Sequence, residues 1–514
     1  MLSGGAVVAY DNNMSPSILL LSLCLLTAPF FAIASNPSGY FINCGATQGI
    51  TVDGLKYIPD SDGKYIKIGN SATITKPDIS PLLTTLRYFP DAASRKFCYS
   101  FPVTKNNRYL LKTVYYYGNF DGKNQPPVFD QIVEGTRWSI VNTTDDYAKG
   151  LSSYYEVVLR AMGRNLGVCV ARNKYTGSSS PFISALDLTL LDSSVYNPTD
   201  FDKYALVAVA RHAFGSQHFI SFPDDQFNRM WQPYKEQQKY VVKSQSNVSS
   251  SDFWNLPPAK AFSAGITTND KTLEINWPTV ALPASQYYIS LYFQDNRIPS
   301  PDSWRIFDVS INENKFFSRL NATTKGVTVY GAQWPLSGHT KITLTSTRGE
   351  VAPVINAGEV YQVFPLGGHT RTRDVIAMED LAKSIEKPPA DWKGDPCLPQ
   401  GNSWTGVTCT NEFNARVISL NLTNAGLAGS LPASINNLSA LNHLWLGSNK
   451  FSGHIPDLSG LKELETLHLE KNNFEGSLPA SLNQLPKLRE VYSDFQAGNS
   501  AGKIPIATQG KLVE

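Results

Sequence analysis

Trp445, His468 and Tyr492 occupy one and the same place in a pattern that recurs near the C-terminal end of the 514-residue chain. The pattern is an apolar residue, two variable ones, Leu-x-Leu, a polar stretch with Gly, and then Leu-Pro or Ile-Pro. Its copies start at Val417, Leu441 and Leu464, 24 and 23 residues apart, and a degenerate fourth follows. Between the last two apolar positions lie Asn421, Trp445, His468 and Tyr492. Two positions earlier lie Ser419, His443, Thr466 and Glu490. Side chains alternate along a strand, so leucines that point inward turn these residues outward. A vertical row of rings suits recognition: aromatic side chains offer large contact area at the centre of binding surfaces. His443, Trp445, His468 and Tyr492 are therefore the expected partner-binding residues.

The elements that must hold this row follow from its period. Repeats of ~20–29 residues with this leucine spacing mark leucine-rich repeats, each one short strand and one turn stacked into a solenoid. No single repeat can bury its leucines, and such stacks present long binding faces rather than catalytic pockets. The expected repeat region is 417–514. Ahead of it, Cys397 and Cys409 flank the start of the solenoid, within a capping segment (394–416) that a disulfide can pin over the first repeat's exposed core; with no nearby His or Cys, the pair cannot complete a zinc site. Upstream, Val375, Met378, Leu381, Ala382 and Ile385 fall on one face of an expected short helix over 374–386, ended by Pro388-Pro389 and lying in a linker over 367–393.

Between residues 37 and 366 the chain reads as short apolar-alternating runs rich in Val, Ile, Tyr, Phe and Thr, broken by Gly, Pro, Asn and Asp. Tyr109–Tyr117, Tyr155–Leu159, Tyr287–Phe293 and Lys341–Thr345 are examples, and helical periodicity is missing from them. The fold class is mainly β. Pro127-Val-Phe-Asp130 is echoed by Arg305-Ile-Phe-Asp308, and Pro181-Phe-Ile-Ser-Ala185 by Pro353-Val-Ile-Asn-Ala357. This order predicts two tandem β-sandwiches, 37–199 and 200–366.

Composition narrows the function. Forty-five basic and 43 acidic side chains leave a net charge of +2, with no basic run, which argues against nucleic acid as partner. The apolar run Ile18–Ala34 is short for a bilayer span and ends Ala32-Ile33-Ala34, the small-x-small pattern of a signal-peptidase site. Residues 1–34 are therefore expected to be a signal peptide, with a signal anchor as the alternative. No basic residue precedes the run, and a start at Met14 would give a leader of ordinary length. No second membrane-length run follows, so the expected product is secreted and extracellular, at the cell surface. Of the six cysteines, Cys24 leaves with the leader. Cys44, Cys98 and Cys169 are odd in number, so one disulfide at most forms among them and its pairing stays open. Asn142, Asn247, Asn321, Asn421 and Asn437 head sequons and are expected glycosylation positions.

The ordered motifs Gly39-Tyr-Phe-Ile-Asn-Cys-Gly45, Arg87-Tyr-Phe-Pro90, Gly118-Asn-Phe-Asp-Gly122, Pro126-Pro-Val-Phe-Asp130, Pro181-Phe-Ile-Ser-Ala-Leu186 and Phe222-Pro-Asp-Asp225 with Arg229 and Trp231 resemble plant malectin-like domains. With Trp392-Lys-Gly-Asp-Pro-Cys397 and Trp404-x-Gly-Val-x-Cys409 leading into repeats, everything after residue 36 is similar to the ectodomain plan of malectin-like, leucine-rich-repeat receptor-like kinases, the symbiosis receptor kinases included. Neither a glycine-rich nucleotide loop nor an H-R-D motif occurs, so a secreted relative or a truncated ectodomain is expected, without kinase activity.

The resemblance implies further residues. In animal malectin an adjacent aromatic pair on a strand helps hold a glucose disaccharide. The matching positions are Tyr115-Tyr116 and Tyr292-Phe293, with Asp130 and Asp308 placed to accept sugar hydroxyls; the competing expectation is that these rings fill the sandwich cores. In the symbiosis receptors, Gly394-Asp395-Pro396-Cys397 governs release of the malectin-like part, although the residues also suit a capping turn. The expected function is extracellular recognition of a cell-wall oligosaccharide or of a peptide or protein ligand in plant cell-surface signalling. A non-ligand-binding partner or decoy docking onto full-length receptor kinases is the alternative, and a carbohydrate-active enzyme a remote one. No cofactor or metal is expected.

Overall fold

A computed structural model describes residues 37–236, 240–298, 304–347 and 351–493. The expected leader, Cys24 and the chain after Ser493 lie outside the described residues. The described residues form one compact unit. Among the described residues no helix is long and apolar enough to cross a membrane.

The two tandem sandwiches are present, and their strand orders are the same. In the first, Gly39–Asn43, Ala185–Leu190, Arg108–Tyr115 and Ser153–Arg160 are neighbours in that order. They face a second sheet ordered Phe97–Pro102, Asn165–Arg172, Val128–Val133, Thr136–Asn142. In the second, Tyr204–Ala213, Ala357–Pro365, Leu282–Phe293 and Val327–Gly338 face Thr272–Asn276, Lys341–Ser346, Ile306–Ile311 and Asn314–Asn321. The Val-Phe-Asp and Ile-Phe-Asp echoes thus sit on equivalent strands. Each copy has its own core: Leu111, Tyr115, Val157 and Leu186 pack with Phe101, Phe129 and Trp138, while Ile289, Leu291 and Val360 pack with Ile275, Phe307 and Leu344.

The copies do not meet end to end. Val157 pairs with Val207 and Val158 with Leu206, so the last strand of the first copy continues into the first strand of the second, and both principal sheets form one eleven-stranded sheet. Leu191, Val195, Tyr196, Phe201 and Phe227 cover the outer face of this junction against Leu110, Val158, Leu206, Tyr288 and Tyr361. With both faces covered, Arg108–Tyr115 and much of Ser153–Arg160 are buried with little alternation.

The charges inside this covered face are paired. Arg211 bonds Glu156 of the first copy (2.5 and 3.2 Å) and Glu359 of the second (2.9 Å). Arg229 is fully buried and bonds Asp225 at 2.9 Å, whose carboxylate also accepts the indole N–H of Trp231 at 2.8 Å. That is the work of the Phe222-Pro-Asp-Asp225 motif. Arg87 similarly forks onto Asp60 with two bonds of 2.7 Å, the bidentate geometry that suits guanidinium and carboxylate.

The helix spans Thr372–Ser384 rather than 374–386. It stops before the prolines because Ile385 turns extended and bridges Gly429, while the Glu386 N–H bonds the Ala428 carbonyl. Near its start Asp374 is buried, taking Arg416 Nε (2.9 Å) and the Val417 amide (3.0 Å), which fixes the helix to the first repeat. Cys397 and Cys409 are joined in the cap, and Cys98 is joined to Cys169, its cross-strand neighbour in the outer sheet of the first sandwich; Cys44 is free and buried.

Candidate functional site

Four repeat strands, Val417–Asn421, His443–Trp445, Thr466–His468 and Glu490–Tyr492, lie parallel and in register, with antiparallel Val407–Cys409 closing the first edge. Their leucines (420, 444, 446, 467, 469) are buried. Asn449 and Asn472 hold successive turns together: each donates to carbonyls of its own and the preceding repeat, and each accepts a backbone amide. The polar residue after each Leu-x-Leu is thereby explained, since a buried turn must have its carbonyls and amides satisfied.

This frame aligns Asn421 with Trp445, Trp445 with His468 and His468 with Tyr492. The rings touch. Trp445 stacks on His468 at 5.6 Å between centroids, and Tyr492 meets His468 edge-on at 4.7 Å. His443 lies 5.4 Å from Trp445. Thr466 clamps the group: its hydroxyl oxygen accepts the indole N–H of Trp445 at 2.7 Å and shares a 3.0 Å hydrogen bond with Nδ1 of His443. Glu490 approaches Nε2 of His468 at 3.4 Å. All four rings are half-buried, so each keeps part of its surface for a partner. A pre-ordered aromatic row loses little side-chain entropy on binding.

Glu470 was not evident among the expected residues. It follows Leu469 as Gly447 follows Leu446, so it continues the outward row of the third repeat. A Cβ added at Gly447 would lie 2.0 Å from its Oε1. The available signal was a charged residue replacing the small one in that position of the repeat.

The sugar-binding expectation is corrected by the packing. Tyr115 and Tyr116 are 1% and 3% exposed, and Tyr292 and Phe293 are fully buried. Tyr115 bonds Gln131 at 2.9 Å and lies edge-on to Phe129 and Phe182. Tyr292 donates to Glu359 at 2.6 Å beside Trp231, and Phe293 packs on Phe307. Asp130 is buried and committed to Asn173 (2.8 Å) and Arg137 (3.2 Å), while Asp308 accepts the Arg319 amide at 2.7 Å. A sugar cannot stack on these rings unless a sandwich opens. Surface clefts of about 510, 610 and 490 Å3 are lined by other residues.

Gly394-Asp395-Pro396-Cys397 forms a turn centred on Asp395, whose carboxylate accepts the amides of Thr370 (2.7 Å), Cys397 (2.9 Å) and Leu398 (2.8 Å). Its outer side packs on the first sandwich. Lys96 donates to the carbonyls of Asp395 (2.5 Å) and Leu398 (3.1 Å), and burial pulls its pKa down to about 8. Of the sequon asparagines, Asn142, Asn247, Asn421 and Asn437 are exposed and Asn321 is half-buried.

Comparison with known proteins places this architecture. Residues 42–363 match the Malectin-like domain family, and residues 463–485 match the Leucine Rich Repeat family. Among curated proteins, the probable LRR receptor-like serine/threonine-protein kinase PAM74 of Arabidopsis thaliana is 30% identical over 459 residues, covering 84% of this chain and 50% of its own length. The receptor-like protein kinase At3g21340 of the same plant is 32% identical over 409 residues, 76% of this chain and 44% of its length. The chain thus spans about half the length of the curated relatives it matches. Among solved structures, the ANX2 ectodomain from Arabidopsis thaliana aligns with a TM-score of 0.51 at 15% identity, over 63% of this chain and 96% of that one. A structure of the plant peptide RALF23 in complex with FER and LLG2 aligns with a TM-score of 0.52 at 14% identity, over 64% and 96%.

Proposed function

Since the chain belongs to the malectin-like domain family and carries leucine-rich repeats after that domain, we propose that it is an extracellular recognition module whose repeat strands dock a peptide or protein ligand. The observation that supports this reading is the clamped row Trp445–His468–Tyr492, with His443 beside Trp445. A fold neighbour has been crystallised in a peptide complex, which gives the malectin-like fold a precedent for peptide recognition without locating the contact. The fused sandwiches act as a rigid support, and the cap fixes the repeats to them. Asn421 opens the row, so a glycan there would confine the ligand to the later repeats.

The test is binding of a panel of synthetic secreted plant peptides to the ectodomain by calorimetry, with a neutral and acidic oligosaccharide array in parallel. The reading expects a saturable peptide ligand whose affinity falls about thirtyfold in Trp445→Ala, as for central aromatic contacts worth roughly 2 kcal/mol. Tyr175→Ala, at a residue 61% exposed on the first sandwich, should leave that affinity unchanged. Oligosaccharide binding indifferent to Trp445 would instead move the function to the sandwiches.

A further inference from the structure

The repeat face is not electrically neutral, and its charge lies beside its rings. Glu470 and Glu490 both border Tyr492: its phenol is raised above the usual pKa by desolvation, by a hydrogen bond with Glu490 and by the negative charges of Glu490 and Glu470. Glu490 also reaches His468 at 3.4 Å. Oε2 of Glu470 is buried without a hydrogen-bond partner among the described residues. Its place is made by Gly447, because a side chain there would collide with the carboxylate. Lys471 and Arg489 adjoin these glutamates in sequence, yet no Lys or Arg among the described residues comes within ion-pair distance of either. Several buried carboxylates elsewhere in the fold are paired with a guanidinium, those of Arg211, Arg229, Arg87 and Arg416.

Two carboxylates without a Lys or Arg partner, set against the rings of Trp445, His468 and Tyr492, select for one chemistry. A carboxylate ligand would be repelled. A neutral sugar would cover the rings but leave Glu470 uncompensated. A cation satisfies both parts, through ion pairing with the glutamates and through attraction to the electron-rich aromatic faces. The planar guanidinium fits better than an ammonium, since it stacks on a ring while its edge donates to a carboxylate. Resting on the docking reading above, we infer that the second to fourth repeats hold a cationic side chain of the peptide, arginine before lysine, between Trp445 and Tyr492 with Glu470 and Glu490 as its counter-charges.

A random twelve-residue peptide library displayed on phage, selected on the wild-type ectodomain and counter-selected on Trp445→Ala, tests this. The expected outcome is a family of Trp445-dependent peptides sharing Arg or Lys at one position. Replacing that Arg by citrulline, its neutral isostere, should lower affinity at least tenfold. Glu470→Gln with Glu490→Gln should do the same, and in that double variant the citrulline replacement should cost nothing further. These glutamine substitutions keep shape, and unchanged thermal midpoints would confirm the fold. Trp445-dependent peptides without a basic residue, or with equal affinity for citrulline, overturn the cation site and leave the docking face standing. A selection that yields no Trp445-dependent peptide overturns both.

Discussion

Replacing Arg211 by Met should unlock the seam between the two sandwiches. Glu156 is 2% exposed and Glu359 is fully buried. Burial works to raise both carboxyl pKa values, yet both are held below the usual range: Glu156 chiefly by the charge and hydrogen bonds of Arg211, Glu359 by Arg229 and Arg211 with help from the Tyr196 and Tyr292 hydroxyls. In Arg211→Met, Glu359 keeps Arg229 at 3.9 Å, but Glu156 is left with a single hydrogen bond, from the Tyr154 hydroxyl at 2.5 Å, and the weaker influence of the Lys112 charge. Stranding one partner of a buried ion pair costs about 3–5 kcal/mol, a large share of the roughly 5–15 kcal/mol that holds a domain folded. The sign with pH follows. In the wild type, the lowered Glu156 contributes stability above its unfolded pKa of about 4.3, and this is lost as pH falls through its folded value. In the variant the uncompensated carboxylate opposes folding at neutral pH and ceases to do so once protonated. The deficit should therefore be largest at pH 7 and shrink toward pH 4. Adding Glu156→Gln should recover part of it, because the stranded charge is then gone. Urea unfolding at both pH values measures all of this. A loss below about 1 kcal/mol at pH 7, or a double variant weaker than the single, would refute the reasoning.

Three further outcomes follow from the packing. Gly394→Ala puts a Cβ at positive φ (+68°) and 3.1 Å from the sulfurs of Cys98 and Cys169; it should cost about 1–2 kcal/mol in backbone strain alone, and deuterium uptake should rise in 93–98 and 391–398. His212 accepts the Trp277 indole N–H at 3.0 Å, and burial lowers its pKa to about 4. The unfolded chain gains a proton near pH 6.5 that the folded one refuses, so stability should fall by up to about 3 kcal/mol as pH drops from 6.5 to 4; thermal midpoints of His212→Gln should lack that part of the decline. Removing the Cys397–Cys409 bridge, which spans 12 residues, should cost about 3 kcal/mol in the chain-entropy view, read as an earlier denaturant midpoint of Cys397→Ser with Cys409→Ser.

What was legible in the sequence was what is local or periodic. The leucine spacing specifies parallel strands and the outward row, since each repeat packs only on its neighbours, and the strand-rich block with its Val-Phe-Asp and Ile-Phe-Asp echoes revealed the duplicated sandwich. Pairings that depend on distant strands were not legible. Cys98 and Cys169 become partners only once the outer sheet sets their register, and Arg211 finds Glu156 and Glu359 from 55 and 148 residues away. The adjacent aromatics misled for a related reason. Alternation distinguishes an inner from an outer face only when one face meets water, and the central strands of the fused sheet are covered on both sides. Tyr292 and Phe293 therefore point in opposite directions and are both buried. Helix 372–384 ended two residues early because Ile385 leaves it to bridge the first repeat, a tertiary contact that the two prolines could not signal.

On the docking proposal, the repeat face rather than the sandwiches recognises the ligand. Its most direct measurement is the affinity of one peptide ligand for wild-type and Trp445→Ala ectodomains, with the fold of both verified by thermal unfolding. A loss of about thirtyfold is expected. An affinity unchanged within error would contradict it.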